Sequence, residues 1–190
     1  MSERHVNGST TVETAGFLPA TTAWFARTFP DGPTTAQTLA WTHIARGENV
    51  LLVSPTGTGK TLAAFLVALD RLASRKLAGD TAPRVSTVYI SPLKALDNDV
   101  ARNLEGPRTG LTVELAKTGA TVTLDAAVRT GDTTQAARAS QLKTPPDVLI
   151  TTPESLALLL VGKGRRILDR VDTLILDEIH SVAGTKRGVH

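Results

Sequence analysis

The feature that most constrains this chain is the octet Ser54-Pro55-Thr56-Gly57-Thr58-Gly59-Lys60-Thr61, set between an apolar run at residues 50–53 and a stretch carrying Leu62, Phe65, Leu66, Leu69 and Leu72. The run reads as a buried strand. The stretch has apolar residues at helical spacing and reads as a helix that stops near Gly79. Glycines in a strand-to-helix turn let backbone N–H groups face inward, and the helix N-terminus adds partial positive charge, so the segment suits phosphate oxygens. Thr56, Gly57, Thr58 and Gly59 would form the cradle, Lys60 would neutralise the β and γ phosphates, and the Thr61 hydroxyl would ligate Mg²⁺. Ser54 stands where the strict P-loop pattern has Gly. A Gly-rich turn that merely precedes a helix is the competing reading.

The order of strand, loop and helix then repeats. Strands are expected at residues 85–90, 126–130, 148–151 and 174–176, with helices around 95–104, 134–142 and 155–168. Upstream, Thr34 or Thr35 can cap a helix running to Arg46, with Gly47 as its stop. Strands that are continuous apolar runs separated by helices predict an α/β fold, a parallel sheet covered by helices on both faces. Residues 1–14 lack apolar periodicity and are expected to be disordered, leaving one domain over residues 15–190. Phe17, Leu18, Trp24, Phe25 and Phe29 gather most of the few aromatics, either as an element packed on that domain or as a frame for a planar ligand.

With 190 residues, 41% hydrophobic and 21% charged, the chain suits one soluble domain. Its longest apolar run, residues 62–69, falls far short of the roughly 20 residues of a membrane-spanning helix, and Met1-Ser2-Glu3-Arg4 is no secretory signal. No membrane partner is expected, and the location is expected to be cytoplasmic. The absence of cysteine excludes disulfide scaffolds, thiolate metal sites and cysteine nucleophiles. A net charge of +3 is mildly favourable to a polyanion.

A phosphate cradle in an NTPase needs a carboxylate at the end of a parallel strand. Asp177 and Glu178 follow Leu174, Ile175 and Leu176 and supply it: Asp177 for Mg²⁺, directly or through water, and Glu178 to polarise the attacking water. An acidic strand end in solvent is the plain alternative. His180 would bridge the nucleotide site to another half of the machine, or be a surface residue.

Together these segments resemble the first, RecA-like motor domain of the DEAD/DEAH-type helicases of superfamily 2. Ser91-Pro92-Leu93-Lys94-Ala95-Leu96 resembles motif Ia, Arg129-Thr130-Gly131-Asp132-Thr133 a TGD-type element, and Thr151-Thr152-Pro153-Glu154-Ser155-Leu156 motif Ib. Trp24-Phe25 ahead of Pro33-Thr34-Thr35-Ala36-Gln37, and Ala183-Gly184-Thr185-Lys186-Arg187-Gly188 after the acidic box, look most like the large helicase-related (Lhr) family. The resemblance implies an ATP-dependent DNA or RNA helicase or translocase with ATP and Mg²⁺ as cofactors. It implies catalytic roles for Lys60, Asp177, Glu178 and His180, and adenine recognition by Gln37, whose amide can both donate and accept.

Pro92, Leu93, Lys94, Thr130, Gly131, Asp132, Thr152, Pro153 and Glu154 would hold the nucleic-acid backbone, a contact tolerant of sequence. An N-cap at Thr152 with Pro153 as first helical residue, and a plain turn at Gly131, would equally explain two of these elements. Lys163, Arg165 and Arg166 read more simply as a solvated loop. A small-molecule kinase or GTPase would share the P-loop, but no Asn-Lys-x-Asp guanine-reading element is present. A non-enzymatic nucleic-acid-binding module would not need Lys60, Thr61, Asp177 and Glu178. The sequence stops at His190, before the Ser-Ala-Thr motif and a second motor domain with its arginine finger. The resemblance therefore implies a domain truncated before its last strands. The strand carrying the next motif would lie between the P-loop strand and that of Asp177.

Overall fold

A computed structural model describes residues 16–55, 57–92 and 99–181. The expectations for residues 1–14, Thr56, Leu93, Lys94 and residues 183–188 lie outside them. The chain forms two compact units, one of residues up to Ala78 with Asn103–Val122, the other of Gly79–Arg102 with the residues from Thr123 onward.

The first unit is helical. Pro19 opens α1 (Pro19–Thr28), where a missing N–H costs nothing. Thr34 caps α2 (Thr35–Ala45), as its sequence predicts, and Gly47 takes a positive φ of 77° just past the end. Helix α3 (Lys60–Leu77) ends before Gly79, again as expected. Trp24, Phe25, Trp41, Leu66 and Val67 form a buried cluster with Phe17, Phe29, Ile44 and Leu62 packed against it. The aromatic stretch is thus a core element: Phe25 and Trp41 meet edge to face at 5.3 Å, and the Trp41 indole donates to the Ala63 carbonyl at 3.0 Å. A buried carboxylate ties α1 down. Leu18 N–H and the Thr21 hydroxyl both donate to Asp70 Oδ1, at 2.9 and 2.6 Å, while burial pushes the Asp70 carboxyl up.

Helix α4 (Asp99–Lys117) crosses from the second unit into the first and runs well past the expected end near residue 104, through Pro107. Leu104, Leu111 and Leu115 are buried, and that apolar face outweighs the helix-breaking pair Gly106-Pro107. Gly110 is required by contact, since a Cβ there would lie 1.9 Å from Trp24 Nε1.

The second unit holds a sheet of four parallel strands, β1 (Thr87–Ile90), β2 (Ala126–Arg129), β3 (Val148–Thr151) and β4 (Thr173–Leu176), in the order β2-β3-β1-β4. Registers align their carboxyl ends: Ile90 pairs with both Thr151 and Leu176, and Arg129 with Thr151. Helix α5 (Gln135–Lys143) links β2 to β3, and α6 (Pro153–Val161) follows β3. Val85, Val88, Leu149, Leu159 and Ile167 make this unit's core, with Leu156 and Val171 packed on it. The helix expected over residues 155–168 breaks in two, because Gly162 is extended and a 3-10 helix (Lys163–Leu168) follows. Gly164 lies against Leu159, where a Cβ would come within 2.2 Å of its side chain.

The first expected strand is absent. Residues 50–53 are irregular, and Leu51 and Val53 are 75% and 83% exposed. Apolar residues alone do not make a strand; a neighbour must supply the hydrogen-bond ladder, and none of the described strands pairs with this segment. On β4 the outer edge likewise pairs with no other strand among the described residues, and Leu174 and Leu176 are 57% and 51% exposed.

Candidate nucleotide and nucleic-acid sites

In the first unit, Gly57 and Gly59 adopt φ of 82° and 79°, values that favour glycine, and turn the chain into α3. No side chain caps this helix, so its first-turn amides are offered at the end where anions bind best. The loop is held by its own polar groups. Lys60 Nζ donates to the Ser54 and Pro55 carbonyls at 2.5 and 2.8 Å, and the Thr58 hydroxyl donates to the Pro55 carbonyl at 2.9 Å. The ammonium therefore already lies inside the turn that bears it.

Gln37 sits beside this loop and is only 4% exposed, so it is no solvated surface amide. Its Oε1 accepts from Thr34 N at 2.9 Å while Thr34 Oγ accepts from Gln37 N, a reciprocal capping box. Its Nε2 donates to the Gly59 carbonyl at 3.4 Å, and a Cβ at Gly59 would fall 2.4 Å from that nitrogen. Thr34 adds a hydroxyl bond to the Thr58 carbonyl at 3.1 Å. The start of α2 is thus locked to the loop. The Thr-x-x-Gln spacing was a readable capping signal for this structural role.

In the second unit, the remaining candidates follow the aligned carboxyl ends of the four strands, where parallel sheets gather ligands. Pro92 follows β1, Thr130, Gly131 and Asp132 follow β2, Thr152, Pro153 and Glu154 follow β3, and Asp177, Glu178 and His180 follow β4. Glu178 has φ of 48°, an uncommon conformation for a residue with a side chain. His180 Nε2 lies 3.2 Å from Glu178 Oε2. The Asp177 carboxylate is held at both oxygens: Oδ1 accepts from Glu178 N at 2.9 Å, and Oδ2 accepts from the Tyr89 hydroxyl. Burial, and next the hydrogen bond to Asp177, push the Tyr89 hydroxyl far above its usual range, so it stays a neutral donor.

Thr152 caps α6 through Ser155 N at 3.2 Å and is 1% exposed, with Pro153 at the helix start, so the plain capping reading holds there. Gly131 is different. Its φ is not positive and a Cβ would meet nothing within 4 Å, so turn geometry does not explain the glycine. Arg138, which sequence reasoning did not single out, donates to the Thr130 and Gly131 carbonyls at 3.0 and 2.9 Å and braces this loop. Burial, then the Arg138 charge, lower the Arg129 guanidinium's pKa.

An α/β unit of parallel strands, acidic residues after its edge strand and a glycine loop opening a helix define the class: residues 34–190 match the DEAD/DEAH box helicase family, and the chain belongs to it. Within that family it is similar to Lhr proteins. It is 50% identical over 180 residues to the Lhr helicase/uracil glycosylase of Escherichia coli, covering 92% of this chain and 12% of that one. With the ATP-dependent helicase Lhr-Core of Methanothermobacter thermautotrophicus, identity is 51% over 173 residues, covering 90% of this chain and 20% of that one. The chain thus spans a fifth or less of the length of these relatives. The structure of Mycobacterium smegmatis Lhr bound to ssDNA and AMP-PNP superposes with a TM-score of 0.83 at 46% identity, covering 92% of this chain and 22% of that one. The DEAD-box helicase Mss116 shares the RecA-like fold, with a TM-score of 0.76 at 21% identity, covering 96% of this chain and 35% of that one. Among the described residues, no helix is long and apolar enough to cross a membrane.

Proposed function

We propose that residues 15–190 belong to the ATP-binding first motor domain of a cytoplasmic DNA or RNA helicase or translocase. The observation that carries this reading is the alignment of four loop clusters, all candidates by sequence, at one end of one parallel sheet. The glycine loop fits a nucleotide: two left-handed glycines, an uncapped helix start and an ammonium held by two carbonyls form a cradle for phosphates. The donor set also fits Mg²⁺. Thr61 offers a hydroxyl oxygen and Asp177 a carboxylate oxygen, and Mg²⁺ favours one or two hard oxygen ligands with phosphates completing its shell.

In this reading Lys60 exchanges its carbonyl contacts for the β and γ phosphates, and the amides of Gly57, Thr58 and Gly59 line the chain of phosphate oxygens. The Thr61 hydroxyl and the Asp177 carboxylate would hold Mg²⁺, which when bound supplies neutralisation of the developing charge. Glu178 accepts a proton from the attacking water, and His180, within reach of Glu178, relays the state of that carboxylate to a second motor domain. Gln37 reads the adenine edge, releasing one of its present amide bonds to do so. Pro92, Leu93, Lys94, Thr130, Gly131, Asp132, Thr152, Pro153 and Glu154 follow the backbone of a single strand. The Lhr protein of known structure, bound to ssDNA and AMP-PNP, supports this reading.

Nucleotide selectivity tests it. Mant-ATP is expected to bind in the presence of Mg²⁺ and to be displaced by ATP but not by equal GTP, because an amide poised for N6 and N7 of adenine meets O6 in guanine. Equal displacement by GTP would remove the adenine assignment of Gln37 and point to a different P-loop class.

A further inference from the structure

Strand β1 is buried at its first three positions, and at the third, Tyr89, phenylalanine would fill nearly the same space. What tyrosine adds is one hydroxyl in a side chain that is fully shielded from water, a placement that costs free energy unless the group is bonded. Its acceptor is Asp177 Oδ2. The two residues are brought together by sheet register: Tyr89 pairs with Ile175 on β4, and Asp177 N donates to the Ile90 carbonyl at 2.9 Å, carrying the ladder one residue past the strand. Asp177 is therefore anchored through its backbone to β1, through Oδ1 to Glu178 N, and through Oδ2 to Tyr89.

We infer that Tyr89 is a positioning residue for Asp177, fixing the orientation in which that carboxylate meets Mg²⁺. The inference rests on the nucleotide-site reading above. A carboxylate held by one donor per oxygen keeps a single rotamer and aims its remaining lone pairs in fixed directions. Losing the phenol frees it to turn about its own bond. Outer partners of metal ligands commonly change metal affinity about 10- to 100-fold when removed.

The test is Mg²⁺ titration of mant-ATP binding, in the chain extended through a second motor domain, for the parent and Tyr89→Phe. The expected result is a half-saturating Mg²⁺ concentration raised about 10-fold in Tyr89→Phe. Mant-ATP binding in EDTA and the thermal midpoint should stay at parental values. The same substitution in an Asp177→Asn background should move the Mg²⁺ midpoint no further. An unmoved midpoint overturns the proposal. So does loss of binding with and without Mg²⁺ alike, or a lowered thermal midpoint with unchanged Mg²⁺ dependence, since either assigns the hydroxyl to packing. If the parent shows no Mg²⁺-dependent nucleotide binding, the nucleotide-site reading itself fails and this inference falls with it.

Discussion

Lys60→Ala is expected to abolish ATP hydrolysis and weaken nucleotide binding, whereas Glu178→Gln is expected to retain the nucleotide and turn it over about 10²- to 10⁴-fold more slowly. The asymmetry follows from what each side chain does. Lys60 is the cation at the start of α3, held now by two carbonyls that phosphate oxygens would replace. Removing it takes away ground-state and transition-state stabilisation together. Glutamine at 178 keeps nearly the shape of the carboxylate and loses only the ability to take a proton, so it touches the chemical step and leaves binding intact. Equilibrium mant-ATP binding beside single-turnover hydrolysis separates the two. Equal loss of binding in both variants would contradict the division of roles.

The second large effect concerns the partner domain. ATP hydrolysis by the 190-residue chain is expected to be about 10³- to 10⁵-fold slower than by the same residues joined to a second motor domain, because an arginine finger contributes on that scale in P-loop enzymes. The surface supports a further expectation. Leu51, Val53, Leu174 and Leu176 are exposed, and the outer edge of β4 pairs with no other strand among the described residues, which is the pattern that invites edge-to-edge association. The 190-residue chain alone is therefore expected to self-associate, and the extended one to be monodisperse by light scattering. A short chain that is monomeric, cooperatively folded and equally active would contradict both this expectation and the motor-domain reading.

Apolar patterning and capping located β1, β2, β3, β4 and the starts of α2, α3 and α5, because each is a local pattern that its own residues specify. Residues 50–53 failed for the opposite reason. Their apolar run is as strand-like as β3, but pairing is decided by a neighbour, which no local pattern contains. Helix α4 ran on through Pro107 because Leu104, Leu111 and Leu115 bury a face whose tertiary reward exceeds a local penalty. Residue type and spacing singled out Lys60, Asp177 and Glu178, which lie at the start of α3 and directly after β4. Tyr89 was invisible because its partner lies 88 positions away and only strand register brings them together. The capping box that Gln37 completes with Thr34 was legible in the Thr-x-x-Gln spacing, whereas its bond to the Gly59 carbonyl, 22 positions away, was not.

The most direct measurement is steady-state ATP hydrolysis by the chain extended through a second motor domain, with and without single-stranded DNA and RNA of unrelated sequences, at low and high salt. A motor domain whose strand-end loops grip phosphates is expected to be stimulated by single strands regardless of base sequence, and to lose that stimulation as salt rises. Hydrolysis indifferent to nucleic acid, or stimulated by one base sequence alone and unmoved by salt, would contradict it.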